Sequence, residues 1–157
     1  MSKPLRLGIA GLGTVGAGVV KIVQKHADLL ASRTGRAVTI SAVSARSRSR
    51  DRGVDLSGYA WEDDPVALAT RDDVDVFVEL MGGEDGPAKA ATEAAIAAGK
   101  DVVTANKAML AVHGQALAEA AEAKDACLRF EAAVAGGIPV IKALTEGLAG
   151  NEITRVM

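Results

Sequence analysis

The feature that most restricts this chain is an abrupt change of hydrophobic period near its start. Leu5 to Ala10 is a short apolar run, while Val15, Val19, Ile22, Val23, His26 and Leu30 recur at helical spacing. Between them stands Gly11-Leu12-Gly13-Thr14-Val15-Gly16, a G-x-G-x-x-G run placed where a strand must turn into a helix. Each glycine has a physical task there. Gly11 permits the tight turn, Gly13 has no Cβ to obstruct a pyrophosphate, and Gly16 lets the helix lie close to the strand. The helix start then offers unpaired N–H groups and a partial positive charge, which suit a diphosphate.

Further along, Ala37 to Val43 alternates as a second strand, and the polar stretch Ser44 to Ser57 reads as a loop. Pro65 to Thr70 makes a short helix behind Asp64 as N-cap, followed by a β-branched strand from Val74 to Leu80. Pro87 and Gly99 bracket an alanine-rich helix. Asp101 to Thr104 is the next strand. Helical segments follow over Asn106 to Leu110 and Gly114 to Lys124, then a strand over Ala126 to Phe130 and a helix opening near Pro139. This β-α-β-α alternation predicts an α/β chain of the Rossmann type, a doubly wound parallel sheet covered on both faces in three α/β/α layers. Residues 1–150 form the NAD(P)-binding domain, and residues 151–157 read as the extended start of a truncated substrate or dimerisation domain.

Composition agrees and excludes several classes. The 157 residues carry 18 basic and 20 acidic side chains, a net charge of −2, which argues against a nucleic-acid partner. Abundant alanine and glycine suit helices packed closely on a sheet. The single Cys127 cannot make an internal disulfide, consistent with a reducing, cytoplasmic setting, and is expected in the core. No apolar run is long enough to span a membrane, and no signal peptide is evident.

In an open α/β sheet the ligand lies beyond the carboxyl ends of the strands. No acidic residue ends the second strand to accept from a ribose 2′-OH. Instead Ser44-Ala45-Arg46-Ser47-Arg48-Ser49-Arg50 follows, where Arg46 is the first candidate to pair with the 2′-phosphate of NADP; a solvated basic loop, with NAD as cofactor, is the alternative. The third strand ends in Glu79-Leu80-Met81-Gly82-Gly83, which lets backbone approach a ligand, and the fourth in Thr104-Ala105-Asn106-Lys107. Lys107 can polarise a carbonyl or anchor a carboxylate. Glu131 leads an apolar run, where a carboxylate is costly unless paired or bound to a cation, and the loop after it can offer main-chain carbonyls. His26 and His113 are read as structural, without a carboxylate at ligand spacing, and Glu62-Asp63-Asp64 as a solvated cap.

Three of these motifs together are specific. The glycine run from Gly11 to Gly16, Val103-Thr104-Ala105-Asn106-Lys107, and Glu131-Ala132-Ala133-Val134-Ala135-Gly136-Gly137-Ile138-Pro139 resemble, in order and spacing, the nucleotide-binding domain of homoserine dehydrogenase over nearly the whole chain. The resemblance implies NADPH- or NADH-dependent reduction of aspartate semialdehyde to homoserine, on the route to threonine, methionine and isoleucine. It implies that Leu12, Gly13, Thr14 and Val15 meet the pyrophosphate, with Arg46 near the adenosine end; Gly11, Gly16, Met81, Gly82 and Thr104, at the turn and the strand ends, complete the candidate cofactor site. Lys107 then stands beside nicotinamide and substrate as the catalytic candidate. Glu131 and the main chain of Val134, Gly136 and Ile138 match a sodium site. The family's substrate pocket and main dimer contacts lie beyond the last residue here, so this chain alone is expected to be inactive, and the full-length protein a homodimer. Two alternatives stay open: a stand-alone NAD(P)-binding or regulatory module, and another amino-acid dehydrogenase, such as one acting on aspartate. Retention of Lys107 and Glu131 speaks against the first, and the Glu131 to Pro139 segment against the second.

Overall fold

The computed structural model describes residues 2–156 and contains a six-stranded, all-parallel sheet of order β3-β2-β1-β4-β5-β6. The strands are β1 (Leu5–Ala10), β2 (Val38–Ser44), β3 (Ala60–Glu62), β4 (Val76–Glu79), β5 (Asp101–Thr104) and β6 (Leu128–Arg129). Between and after them run α1 (Thr14–Lys25), α2 (Ala27–Thr34), α3 (Pro65–Thr70), α4 (Pro87–Ala97), α5 (Lys107–Glu122), α6 (Glu131–Val134) and α7 (Val140–Lys142), the last continuing into a π-helical turn over Ala143–Gly147. The chain winds outward from β1 through β2 to β3, then returns to β1's other side and winds through β4 and β5 to β6. Strand order therefore reverses between β1 and β4, and the Gly11 turn lies at that reversal.

Two apolar layers hold the helices to the sheet. Phe77, Val102 and Ala10 face Leu68 of α3, Ala91, Ala95 and Ile96 of α4, and Met109 and Leu117 of α5. On the opposite face Ile9, Val43 and Val78 meet Val20 and Val23 of α1. Alanines on α4 and α5 keep helix and sheet close, as their abundance suggested. Helices thus cover both faces as expected, with Val103 of β5 left 38% exposed on this second face.

Several boundaries differ from the sequence reading. The edge strand β3 was not foreseen, because three residues are too few to show alternation; pairing with Ala42 to Ser44 defines it. Helix α5 is continuous through Gly114, where two helices were expected. An added Cβ at Gly114 would meet only Leu110, at ordinary contact distance, and Met109, Leu117 and Ala121 anchor the helix on both sides of it. The first helix instead divides at His26, whose φ of −119° ends α1 and starts α2. Residues 131–134 form the short helix α6 where a loop was expected. Residues 152–156 belong to no strand, and Met157 lies outside the described residues.

Candidate functional site

At the reversal point the glycine turn is built by close approach. Gly11 has φ +96°, and a Cβ there would fall 2.4 Å from the carbonyl carbon and oxygen of Leu80. A Cβ at Gly16 would stand 1.9 Å from the Gly11 oxygen, so only glycine admits this seating of α1. Gly13 differs: nothing lies within 4 Å of its Cβ position, and it faces open space. It is also the N-cap of α1 and supplies no side-chain acceptor, whereas Asp64 caps α3 and Asn106 caps α5. The first turn of α1 thus keeps donors available for an anion. A crevice of about 390 Å³ opens in front of it, within the range of small-ligand clefts. Thr14 and Val15 of that turn are exposed.

The walls of this crevice are unlike. On the β2 side stand Arg46 and Arg50; on the β4 side, Met81 and Gly82. Arg46 is exposed, free to reach a ligand. Sequence reasoning missed Arg52, which follows the Ser/Arg run. Its Nε donates to the Leu12 carbonyl (3.1 Å), Nη1 to the Arg50 carbonyl (2.6 Å) and Nη2 to the Ser47 carbonyl, which ties the basic loop to the glycine turn. Arg48 and Arg52 lie over the Trp61 ring at 5.9 and 5.6 Å, a cation–π stack on β3. The indole Nε1 donates to Asp63 (2.8 Å), and Glu62 pairs with Arg71, so only Asp64 of the acidic run acts as the expected cap.

Behind the β4 wall lies a buried polar network. Glu79 is fully buried; its Oε1 accepts from the N–H groups of Met81 (2.7 Å) and Gly82 (3.2 Å), and its Oε2 from the Thr104 hydroxyl (2.6 Å). Thr104 in turn accepts from the Asn106 N–H (3.0 Å). Asn106 donates to the Gly83 carbonyl (2.7 Å) and caps α5 at Met109 (3.1 Å). The network fixes the first residue of α5, Lys107, at the end of β5 with its side chain exposed. The Glu79 and Asn106 roles are legible only once β4 and β5 are paired, with Glu79 opposite Thr104.

The Glu131 segment satisfies itself. Its carboxylate accepts from the N–H groups of Ile141 and Lys142, both at 3.0 Å, and so caps α7. These amides offset part of the cost of placing a carboxylate at this half-buried position. The Ile138 carbonyl accepts from the Val140 N–H (2.8 Å); Val134 and Gly136 are exposed. Among the described residues no cluster of three or more His, Cys, Asp or Glu side chains could hold a metal ion. His113 meets a carboxylate that lies outside any local ligand spacing, Asp85 at 2.9 Å across 28 residues of sequence; the contact tethers the Gly83–Gly86 turn to α5. Cys127 is exposed rather than in the core, because β6 begins only at Leu128.

The sequence profile of the homoserine dehydrogenase NAD binding domain matches residues 11–131. The chain belongs to the homoserine dehydrogenase family. It is 47% identical to homoserine dehydrogenase of Neisseria gonorrhoeae over 154 residues, 98% of this chain and 35% of that protein. With the Bacillus subtilis enzyme it shares 41% identity over 99% of its length, covering 36% of the relative. The crystal structure of a homoserine dehydrogenase from Thiobacillus denitrificans superposes with a TM-score of 0.86 at 40% identity, covering 95% of this chain and 34% of that one. The chain thus spans about a third of the length of these homoserine dehydrogenases and corresponds to their nicotinamide-dinucleotide-binding portion. No helix among the described residues is long and apolar enough to cross a membrane.

Proposed function

We propose that this chain binds a nicotinamide dinucleotide across the crevice between β1 and β4 and forms the coenzyme half of an enzyme that interconverts L-homoserine and L-aspartate 4-semialdehyde in the cytoplasm. The observation that carries the reading is the first turn of α1: uncapped, glycine-walled, open at Gly13 and flanked by arginines on one side only. Leu12 to Val15 would hold the pyrophosphate with main-chain donors, Gly11 and Gly16 setting the turn. Arg46 would take a 2′-phosphate, making NADP the preferred form over NAD. Met81, Gly82 and Thr104 would bound the nicotinamide end. When bound, the coenzyme supplies the hydride acceptor or donor. Lys107 would hold and polarise the reacting end of the substrate. The complete protein would be a homodimer, with its substrate-binding residues in the portion of the relatives beyond this chain. A sodium ion at Glu131, Val134, Gly136 and Ile138 rests on family resemblance; each Glu131 oxygen accepts one main-chain N–H and keeps lone-pair capacity for a cation.

Calorimetric titration of the purified chain with NADPH and NADH tests the reading. Saturable binding of both is expected, and Arg46→Ala should weaken NADPH more than tenfold while leaving NADH within twofold. Binding of neither coenzyme would refute the reading, and equal losses would refute the NADP preference.

A further inference from the structure

Glu79 is a carboxylate with 0% exposure whose neighbours in the sheet, Ala10 and Thr104, are also buried. Its three partners all donate, and none of the described ion pairs includes it. The two amides can only donate. The Thr104 hydroxyl accepts from Asn106, so its single proton is left to give to Glu79. A protonated Glu79 would set its own hydrogen against that one, leaving the hydroxyl proton without an acceptor. The pattern closes only with an ionised carboxylate. Burying such a charge without a cation is costly, and hydrogen bonds alone do not cancel its field in a low-dielectric interior.

This charge lies under one end of the crevice. It holds the Met81 and Gly82 amides from beneath, and the Leu80–Met81 main chain is the surface on which Gly11 closes. The arginines occupy the opposite, β2 wall. A dinucleotide lying across the glycine turn, with its phosphate-bearing adenosine end toward the arginines, places its nicotinamide end on the β4 wall. We propose that Glu79 is a positioning and specificity-determining residue: its buried negative charge fixes the Leu80–Gly83 loop and weights the crevice toward the oxidised coenzyme, whose ring carries a positive charge that the reduced ring lacks. The proposal rests on the dinucleotide reading above.

The test compares dissociation constants for the oxidised and reduced forms of one coenzyme, by calorimetry, in the 157-residue chain and three variants. Glu79→Gln preserves volume and removes the charge; the oxidised form should lose at least fivefold more affinity than the reduced form. Glu79→Asp keeps the charge and should hold the ratio within twofold of the parent. Thr104→Val keeps the anion while removing one donor, and should weaken both forms alike. Equal losses for both forms in Glu79→Gln would overturn the proposal, since a loop support without an electrostatic part acts on both. Should Glu79→Gln fail to fold, Glu79→Met, which also removes the charge, is read in its place by the same criterion, and a ratio that moves more than fivefold in either charge-keeping variant overturns the proposal. Failure of the parent chain to bind either form would refute the dinucleotide reading itself, a result distinct from binding with an unaltered ratio.

Discussion

Three glycines of one turn have separable duties, and substitution should separate them. At Gly16 a Cβ would overlap the Gly11 carbonyl at 1.9 Å, a main-chain atom that cannot swing aside. Gly16→Ala is therefore expected to destabilise the chain by about 1–3 kcal/mol, the usual range for overpacking, measured by urea unfolding. Gly13 has φ −76° and open space around it, so Gly13→Val meets no clash and should cost no more than the ~1 kcal/mol of replacing a good N-cap residue, while abolishing coenzyme binding. A stable Gly16→Ala, or a Gly13→Val that still binds, would contradict this division. The turn was legible because its residues act locally, each through its own missing Cβ. The roles of Arg52 and Glu79 were not, because each also depends on one distant partner, Leu12 at 40 residues and Thr104 at 25, which only the assembled sheet brings near.

Elements are locked to one another by a few ionic contacts, the clearest between β1 and the turn before β4. Arg6 donates from Nε and Nη2 to the two oxygens of Asp75 at 2.9 and 2.7 Å, and the Arg6 amide adds a third contact at 3.0 Å. The hydrogen-bonded guanidinium holds the Asp75 carboxyl far below the usual carboxylate range, against the opposing effect of partial burial. A depressed folded-state pKa gives stability that is complete above the unfolded-state value, near 4, and drains as pH falls below it. Unfolding free energy should thus decline from about pH 5 toward pH 2, and Asp75→Asn should lower stability at pH 7 while flattening that decline. An unaltered acid slope in the variant would show that the pair contributes little. Helices long enough to show period, such as α1 and α4, and strands with β-branched runs, such as β4, could be placed from sequence. The short edge strand β3 could not, since its neighbour creates it, whereas β6 was placed within the longer run Ala126 to Phe130, of which only Leu128–Arg129 pairs.

For the molecule as a whole, the order of the sheet decides what this chain can and cannot do. Its reversal between β1 and β4 creates a crevice with a basic wall and a main-chain wall, and both were foreshadowed by the residues that end each strand. Coverage of about a third of the related homoserine dehydrogenases leads to a further expectation. The 157-residue chain should bind coenzyme yet show no homoserine oxidation when followed at 340 nm; measurable turnover would mean that Lys107 and its surroundings suffice for chemistry. If a diphosphate rests on the first turn of α1 as proposed, its seat is main chain, and the two positions that shape it, Gly11 and Gly16, admit no side chain. Mutation can destroy that seat but has almost nothing with which to retune it. A change of coenzyme preference would on this reading fall to the irregular segment after β2, where Arg46 and Arg50 are exposed and their exchange leaves the frame undisturbed.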